Sequence, residues 1–146
     1  MNAFSAVGTD AGLHLTLPDT RDAVDICRLA IVRFLEPAAP SQQAMFRLEL
    51  IQEECLMNII WHAFDDDSEH SIAVHATVDG GHISLVFEDS GRPFDPTQVA
   101  DPQLPANLQD AVPGGLGLML VRRFASSVTY RRHEGHNQLS VTLPLH

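Results

Sequence analysis

Apolar and polar residues alternate along five stretches of this chain and recur every three or four positions along three others, so most of the sequence divides into strands and helices. The first alternating stretch is LHLTL, residues 13–17, which Pro18 ends. Asp19 or Thr20 then stands where a helix cap belongs. The apolar positions Val24, Ile26, Cys27, Ile31, Phe34 and Leu35 repeat helically behind it until Pro37 and Pro40 break the pattern. After the connector PAAPS, Ser41 is set to cap a second helix. Its apolar stripe is Leu48, Ile51, Cys55 and Ile59, and the acidic turn FDDDSEH, residues 64–70, stops it.

SIAVHATV (71–78) and HISLVFED (82–89) alternate on either side of Asp79-Gly80-Gly81, a tight-turn signal, and predict a hairpin. SGRPFDP follows, and then residues 97–113, which hold Pro102, Pro105 and Pro113 and show neither period. A structureless segment of that length is often a functional lid. GGLGLMLVRRFA (114–125) reads as a glycine-rich turn running into a third helix. SVTYRRHE and NQLSVTLPL, split by a Gly135-His136-Asn137 turn, predict a closing hairpin. Residues 1–12 are small and polar and read as a flexible tail. This order predicts an α+β fold: a single mixed, mostly antiparallel sheet with helices packed on one face.

A chain of 146 residues suits one domain, here 13–146, with a substantial core. The formal charge of −10 argues against nucleic acid or an anionic membrane as partner, since both need a basic footprint. No apolar run approaches the roughly 18 residues of a membrane span, and the N-terminus lacks the basic and apolar regions of a signal peptide. A cytoplasmic location is therefore expected. Cys27 and Cys55 fall on helical patterns without a CxxC spacing and are expected in the core, and the eight histidines form no metal-ligand motif.

Three segments carry candidate chemistry. Glu54, Asn58 and His62 are four residues apart, so at about 3.6 residues per turn they line one face beside the apolar stripe. That row is either a solvated flank or a set of groups aimed into a pocket. Asp89-Ser90-Gly91-Arg92-Pro93-Phe94-Asp95 is either a plain turn or a carboxylate at a strand end able to accept from a ligand amino group, such as the exocyclic amine of adenine. In Pro113-Gly114-Gly115-Leu116-Gly117-Leu118, glycines meet a helix start, where unpaired backbone N–H groups form a natural phosphate cradle. This stretch is neither a Walker A sequence nor a Rossmann fingerprint.

In this order, with a lid between the last two, the segments resemble the N, G1 and G2 boxes of the Bergerat ATP-binding fold (histidine kinase-like ATPase, GHKL) found in gyrase and sensor histidine kinases. Within it, the small size, ELIQEECLMNIIWHAF and NQLSVTL are most similar to the bacterial anti-sigma factor serine kinases. The resemblance implies a two-layer α/β sandwich that uses ATP and Mg2+. It further implies that Asn58 ligates the magnesium, Asp89 binds the adenine amino group and Gly91 permits close approach. Gly115, Leu116, Gly117 and Leu118 would fold over the phosphates, and Glu54 would be the general base toward a serine hydroxyl. His62 matches an N-box position or is a hydrogen-bonded structural histidine, and Phe94 and Trp61 contribute by packing. The implied partners are a sigma factor and a STAS-type anti-sigma factor antagonist, with a homodimer suggested and no direct nucleic acid or membrane contact.

One departure matters. Phosphoryl transfer needs cationic help, yet residues 96–121 contain no Lys or Arg, and Arg92, Arg122 and Arg123 are the nearest. Either one of these or a partner supplies the charge, or magnesium and glycine amides suffice and turnover is slow, or the protein binds ATP without transfer. The sequence thus leaves a serine/threonine kinase and an ATP-dependent sequestering switch as the two readings. A histidine kinase is disfavoured, because no phosphoacceptor histidine on a helical hairpin precedes the domain.

Overall fold

The alternating stretches on either side of Asp79 meet as the expected hairpin, and the rest of the sheet grows outward from it. In the computed structural model, which describes residues 5–9, 12–66, 68–98 and 115–146, strands β3 (Ser71–Asp79) and β4 (His82–Asp89) pair from Ala73 opposite Glu88 to Asp79 opposite His82. Gly80 and Gly81 turn the hairpin with φ of 58° and 79°, values at which a residue with a side chain is strained. β2 (Gly12–Pro18) pairs with β3, and β6 (His136–Pro144) pairs with β4. The edges are β1 (Ser5–Thr9) and β5 (Ser127–His133), giving the order β1-β2-β3-β4-β6-β5 with every pairing antiparallel. The α+β class and the single sheet are as expected from the sequence.

The period-two pattern puts Leu15, Leu17, Val74, Leu85, Phe87 and Val141 on one face of the sheet, each at most 2% exposed. Helices α1 (Asp22–Leu35) and α2 (Gln42–His62) cover that face, and α3 (Gly115–Phe124) packs beside α2. The α2 stripe Leu48, Ile51, Cys55 and Ile59 is buried as its spacing predicts, and Cys27 and Cys55 are free thiols within the core. Ser41 caps α2 by accepting from the Ala44 N–H at 3.1 Å, a contact worth about 1 kcal/mol. Among the described residues, no helix is long and apolar enough to cross a membrane.

Three expectations are corrected. Residues 5–9 are not tail but an edge strand, since β1 pairs along β2 from Ser5 opposite Thr16 to Thr9 opposite Gly12. Its sequence, SAVGT, gives no periodic signal. Neither Asp19 nor Thr20 caps α1: the helix begins at Asp22 without a side-chain cap, and the Thr20 hydroxyl is buried without a partner. The closing hairpin turns on Glu134 and Gly135, with φ of 50° and 82°, so that His136 and Asn137 already belong to β6. Of the expected lid, Thr97 and Gln98 fall in a short 3-10 turn, Pro96–Gln98, and residues 99–113 lie outside the described residues.

Candidate active site

With its stripe turned into the core, α2 holds the Glu54, Asn58, His62 row on the flank toward α3 and the end of β4. Asn58 and His62 line an open cleft together with Asp89 and Phe94. Asn58 is 6% exposed, which removes the solvated-flank reading for this residue. Its amide makes no side-chain hydrogen bond with any described residue. An amide on the cleft wall with no protein partner among the described residues is open to a ligand. The rings of His62 and Phe94 face each other across the cleft wall at 6.2 Å.

Asp89 stands at the end of β4, also 6% exposed. Its Oδ1 accepts from the Gly91 N–H at 2.8 Å and from Asn137 Nδ2 at 2.9 Å, while its Oδ2 has no partner among the described residues. The loop after Asp89 is stitched onto the end of α2. Arg92 donates from its N–H to the Ala63 carbonyl at 3.0 Å and from Nε to the His62 carbonyl at 2.8 Å. These bonds satisfy carbonyls that a helix C-terminus leaves unpaired. Gly91 is required there: a Cβ would lie 2.3 Å from the Ala63 oxygen and 2.6 Å from its Cβ. The close approach that this glycine permits is that of the α2 backbone.

Glu54 lies apart from the cleft lining and rests against α3, where an ideal Cβ on Gly117 would fall 1.8 Å from its Oε2. Burial holds the Glu54 carboxyl above the usual range, and the charge of Glu53 adds to the shift. α3 opens at Gly115, so the glycine-rich segment does run into a helix N-terminus, and Leu118 is buried beneath it. Of the three cations nearest the lid in sequence, Arg92 lines the cleft, whereas Arg122 and Arg123 occupy the last turn of α3.

Sequence reasoning missed Asn137, assigning it to a turn. It is 6% exposed and bonds to Asp89, to the Arg92 carbonyl, to the Tyr130 hydroxyl and to the Phe94 N–H. A signal existed: counting back by twos from Val141 and Leu139 puts Asn137 on the buried face, and a polar residue there demands partners. Arg132, also overlooked, donates from Nη1 to the Gly91 carbonyl at 2.7 Å.

Residues 17–143 match the model of the histidine kinase-like ATPase domain, and the chain belongs to that family. Among curated proteins it is similar to the serine/threonine-protein kinase BtrW of Bordetella bronchiseptica, 40% identical over 104 residues that cover 70% of this chain and 72% of the relative. It also resembles the serine-protein kinase RsbW of Oceanobacillus iheyensis, 21% identical across 84% of this chain and 80% of that one. The anti-sigma F factor of Halalkalibacterium halodurans is 21% identical across 69% of each. The histidine kinase domain of the blue-light activated histidine kinase of Erythrobacter litoralis shares the fold, with a TM-score of 0.53 and 19% identity over 88% of this chain. This chain spans 62% of that domain's length. The GHKL fold expected from the three boxes, and the anti-sigma kinase branch expected from the small size, ELIQEECLMNIIWHAF and NQLSVTL, are the ones these matches carry.

The residues present fit nucleotide and magnesium. Asp89 offers an unengaged carboxylate oxygen, Asn58 an open amide oxygen of the hard type magnesium takes, and α3 a glycine-flanked N-terminus. Among the described residues no three His, Cys, Asp or Glu side chains are placed to hold a metal ion, and Asn58 is the residue that would hold magnesium through its amide oxygen.

Proposed function

We propose that the protein is an ATP-dependent serine/threonine kinase that binds a sigma factor and phosphorylates a STAS-type antagonist of that interaction. Asp89 accepts the adenine amine, Asn58 holds the magnesium, and the helix start at Gly115 to Leu118 receives the phosphates. Magnesium held by Asn58 would supply neutralisation of phosphate charge. Glu54 takes the proton from the substrate serine hydroxyl as the serine oxygen bonds to the γ-phosphorus. The bond from that phosphorus to the bridging oxygen breaks, and ADP leaves with the electron pair. A homodimer is the assembly that the family resemblance implies.

The observation that supports this reading best is the joint arrangement of Asn58 and Asp89 on one cleft, with a half-buried Glu54 one helical turn before Asn58 and in contact with α3. Relatives named as serine or serine/threonine kinases favour transfer over the sequestering switch. The test incubates the purified protein with magnesium, γ-labelled ATP and candidate STAS-type antagonists. Labelled serine or threonine is expected with wild type, and Glu54→Gln should bind ATP while losing transfer. Tight ATP binding with no transfer by wild type would instead establish the switch.

A further inference from the structure

The side chain of Asn137 joins segments that lie far apart in the chain. Nδ2 donates to Asp89 Oδ1 at 2.9 Å and to the Arg92 carbonyl at 2.8 Å, and Oδ1 accepts from the Tyr130 hydroxyl at 2.5 Å and from the Phe94 N–H at 3.4 Å. Both amide protons and both lone pairs are therefore engaged. The orientation follows from the partners: turned over, the amide would aim its oxygen at a carboxylate and a carbonyl and its protons at an N–H. At 6% exposure, losing any of these bonds leaves a buried group unpaired. On the other side of the contact, Asn137 and the Gly91 N–H both spend Asp89 Oδ1, so Oδ2 is the atom left to accept from a ligand.

We infer that Asn137 is a positioning residue that fixes the Asp89 carboxylate with Oδ1 engaged, and thereby sets the selectivity of the cleft for a base bearing an exocyclic amine over one bearing a carbonyl at that position. The inference rests on the reading of Asp89 as the base-binding group. A carboxylate held as acceptor only takes the amine of adenine and repels the carbonyl oxygen that guanine presents in its place. Once Asn137 is removed, Oδ1 keeps only the Gly91 N–H, and one donor no longer holds the carboxylate to a single orientation.

The test measures dissociation constants of non-hydrolysable ATP and GTP analogues by calorimetry for wild type, Asp89→Asn, Asn137→Leu, Asn137→Asp and Tyr130→Phe, with circular dichroism as the check on folding. Asn137→Leu is expected to weaken ATP binding by about tenfold or more, the size of one hydrogen bond to a charged group. It should also narrow the ATP-over-GTP ratio. Asn137→Asp brings two carboxyl groups within hydrogen-bond reach, and such a pair holds a shared proton more readily at low pH. Its loss of ATP affinity relative to wild type should therefore be larger at pH 8 than at pH 6, a dependence that a merely structural role would not produce. Tyr130→Phe removes one bond to the amide and keeps the inference testable should the Asn137 variants not fold; a narrowed ratio is expected there too. If Asp89→Asn weakens ATP while the folded variants keep the wild-type ratio, the role of Asn137 is overturned alone. Unchanged ATP affinity in Asp89→Asn overturns the reading of Asp89 and this inference with it.

Discussion

The carboxylate of Glu54 occupies the space in which a side chain on Gly117 would begin, with Oε2 1.8 Å, Cδ 2.4 Å and Cγ 3.0 Å from an ideal Cβ. Two of the three sequence boxes thus meet through one absent methyl group. The obstructing atoms are the far end of a flexible side chain, so a Gly117→Ala protein relieves the clash by moving Glu54, and α3 stays in place. Alanine is also the better helix former, by up to about 1 kcal/mol. The expected result is an unchanged or higher melting temperature and a phosphoryl-transfer rate at saturating ATP lower by about a hundredfold, the scale of a displaced general base. Thermal melts and the labelled-ATP assay decide it, and full transfer by Gly117→Ala would show that the base does not need its present position.

The raised carboxyl of Glu54 ties activity and stability to pH with opposite signs. In the proposed role of Glu54 as general base, which works deprotonated, transfer is expected to fall on the acid side through a pKa above the ordinary glutamate value, because burial and the neighbouring Glu53 both disfavour the charge. For stability, a carboxyl with a raised folded-state pKa contributes fully below its unfolded value, and that contribution is lost as pH rises through the folded one. Above its folded-state pKa the charged Glu54 is accordingly a cost that glutamine removes. Glu54→Gln should melt at or above the wild-type temperature at pH 7 while losing transfer. Glu53→Gln should shift the acid limb of the rate profile downward, since it deletes the second cause. An acid limb that lies at the ordinary glutamate value, or that Glu53→Gln leaves in place, counts against this assignment.

What the sequence discloses here is what local periodicity can carry. The α2 row was legible because a four-residue spacing beside an apolar stripe fixes which side chains share a face, and the β3–β4 hairpin because Gly80 and Gly81 mark a turn that few other residues tolerate. β1 was not legible, since backbone pairing along β2 does not need a pattern in the residues that pair. Asn137 was hidden by a turn placed one step too far along the chain, although the alternation of β6 contained its position. The true partners of Gly91 and of Arg92 are Ala63 and His62, on the preceding helix. Contacts between segments so far apart in sequence are set by tertiary packing, and no window on the sequence includes both sides.

That packing makes Gly91 the opposite case to Gly117. A Cβ at Gly91 meets the Ala63 oxygen at 2.3 Å and carbon at 2.8 Å, which are backbone atoms at the end of α2 and cannot swing aside. The same carbonyl accepts the Arg92 N–H, so relief would require the loop to leave α2 and give up that bond together with the one from the Gly91 N–H to Asp89. Gly91→Ala is therefore expected to lower both stability, by about 1–3 kcal/mol as overpacking does, and nucleotide affinity, because Asp89 loses one of the two donors that hold it. Denaturant unfolding and calorimetric titration with a non-hydrolysable ATP analogue measure the two effects side by side. Where Gly117→Ala separates transfer from stability, Gly91→Ala should couple stability to binding. Wild-type affinity in a destabilised Gly91→Ala protein would mean that the grip of this loop on α2 does not hold the Asp89 carboxylate in place.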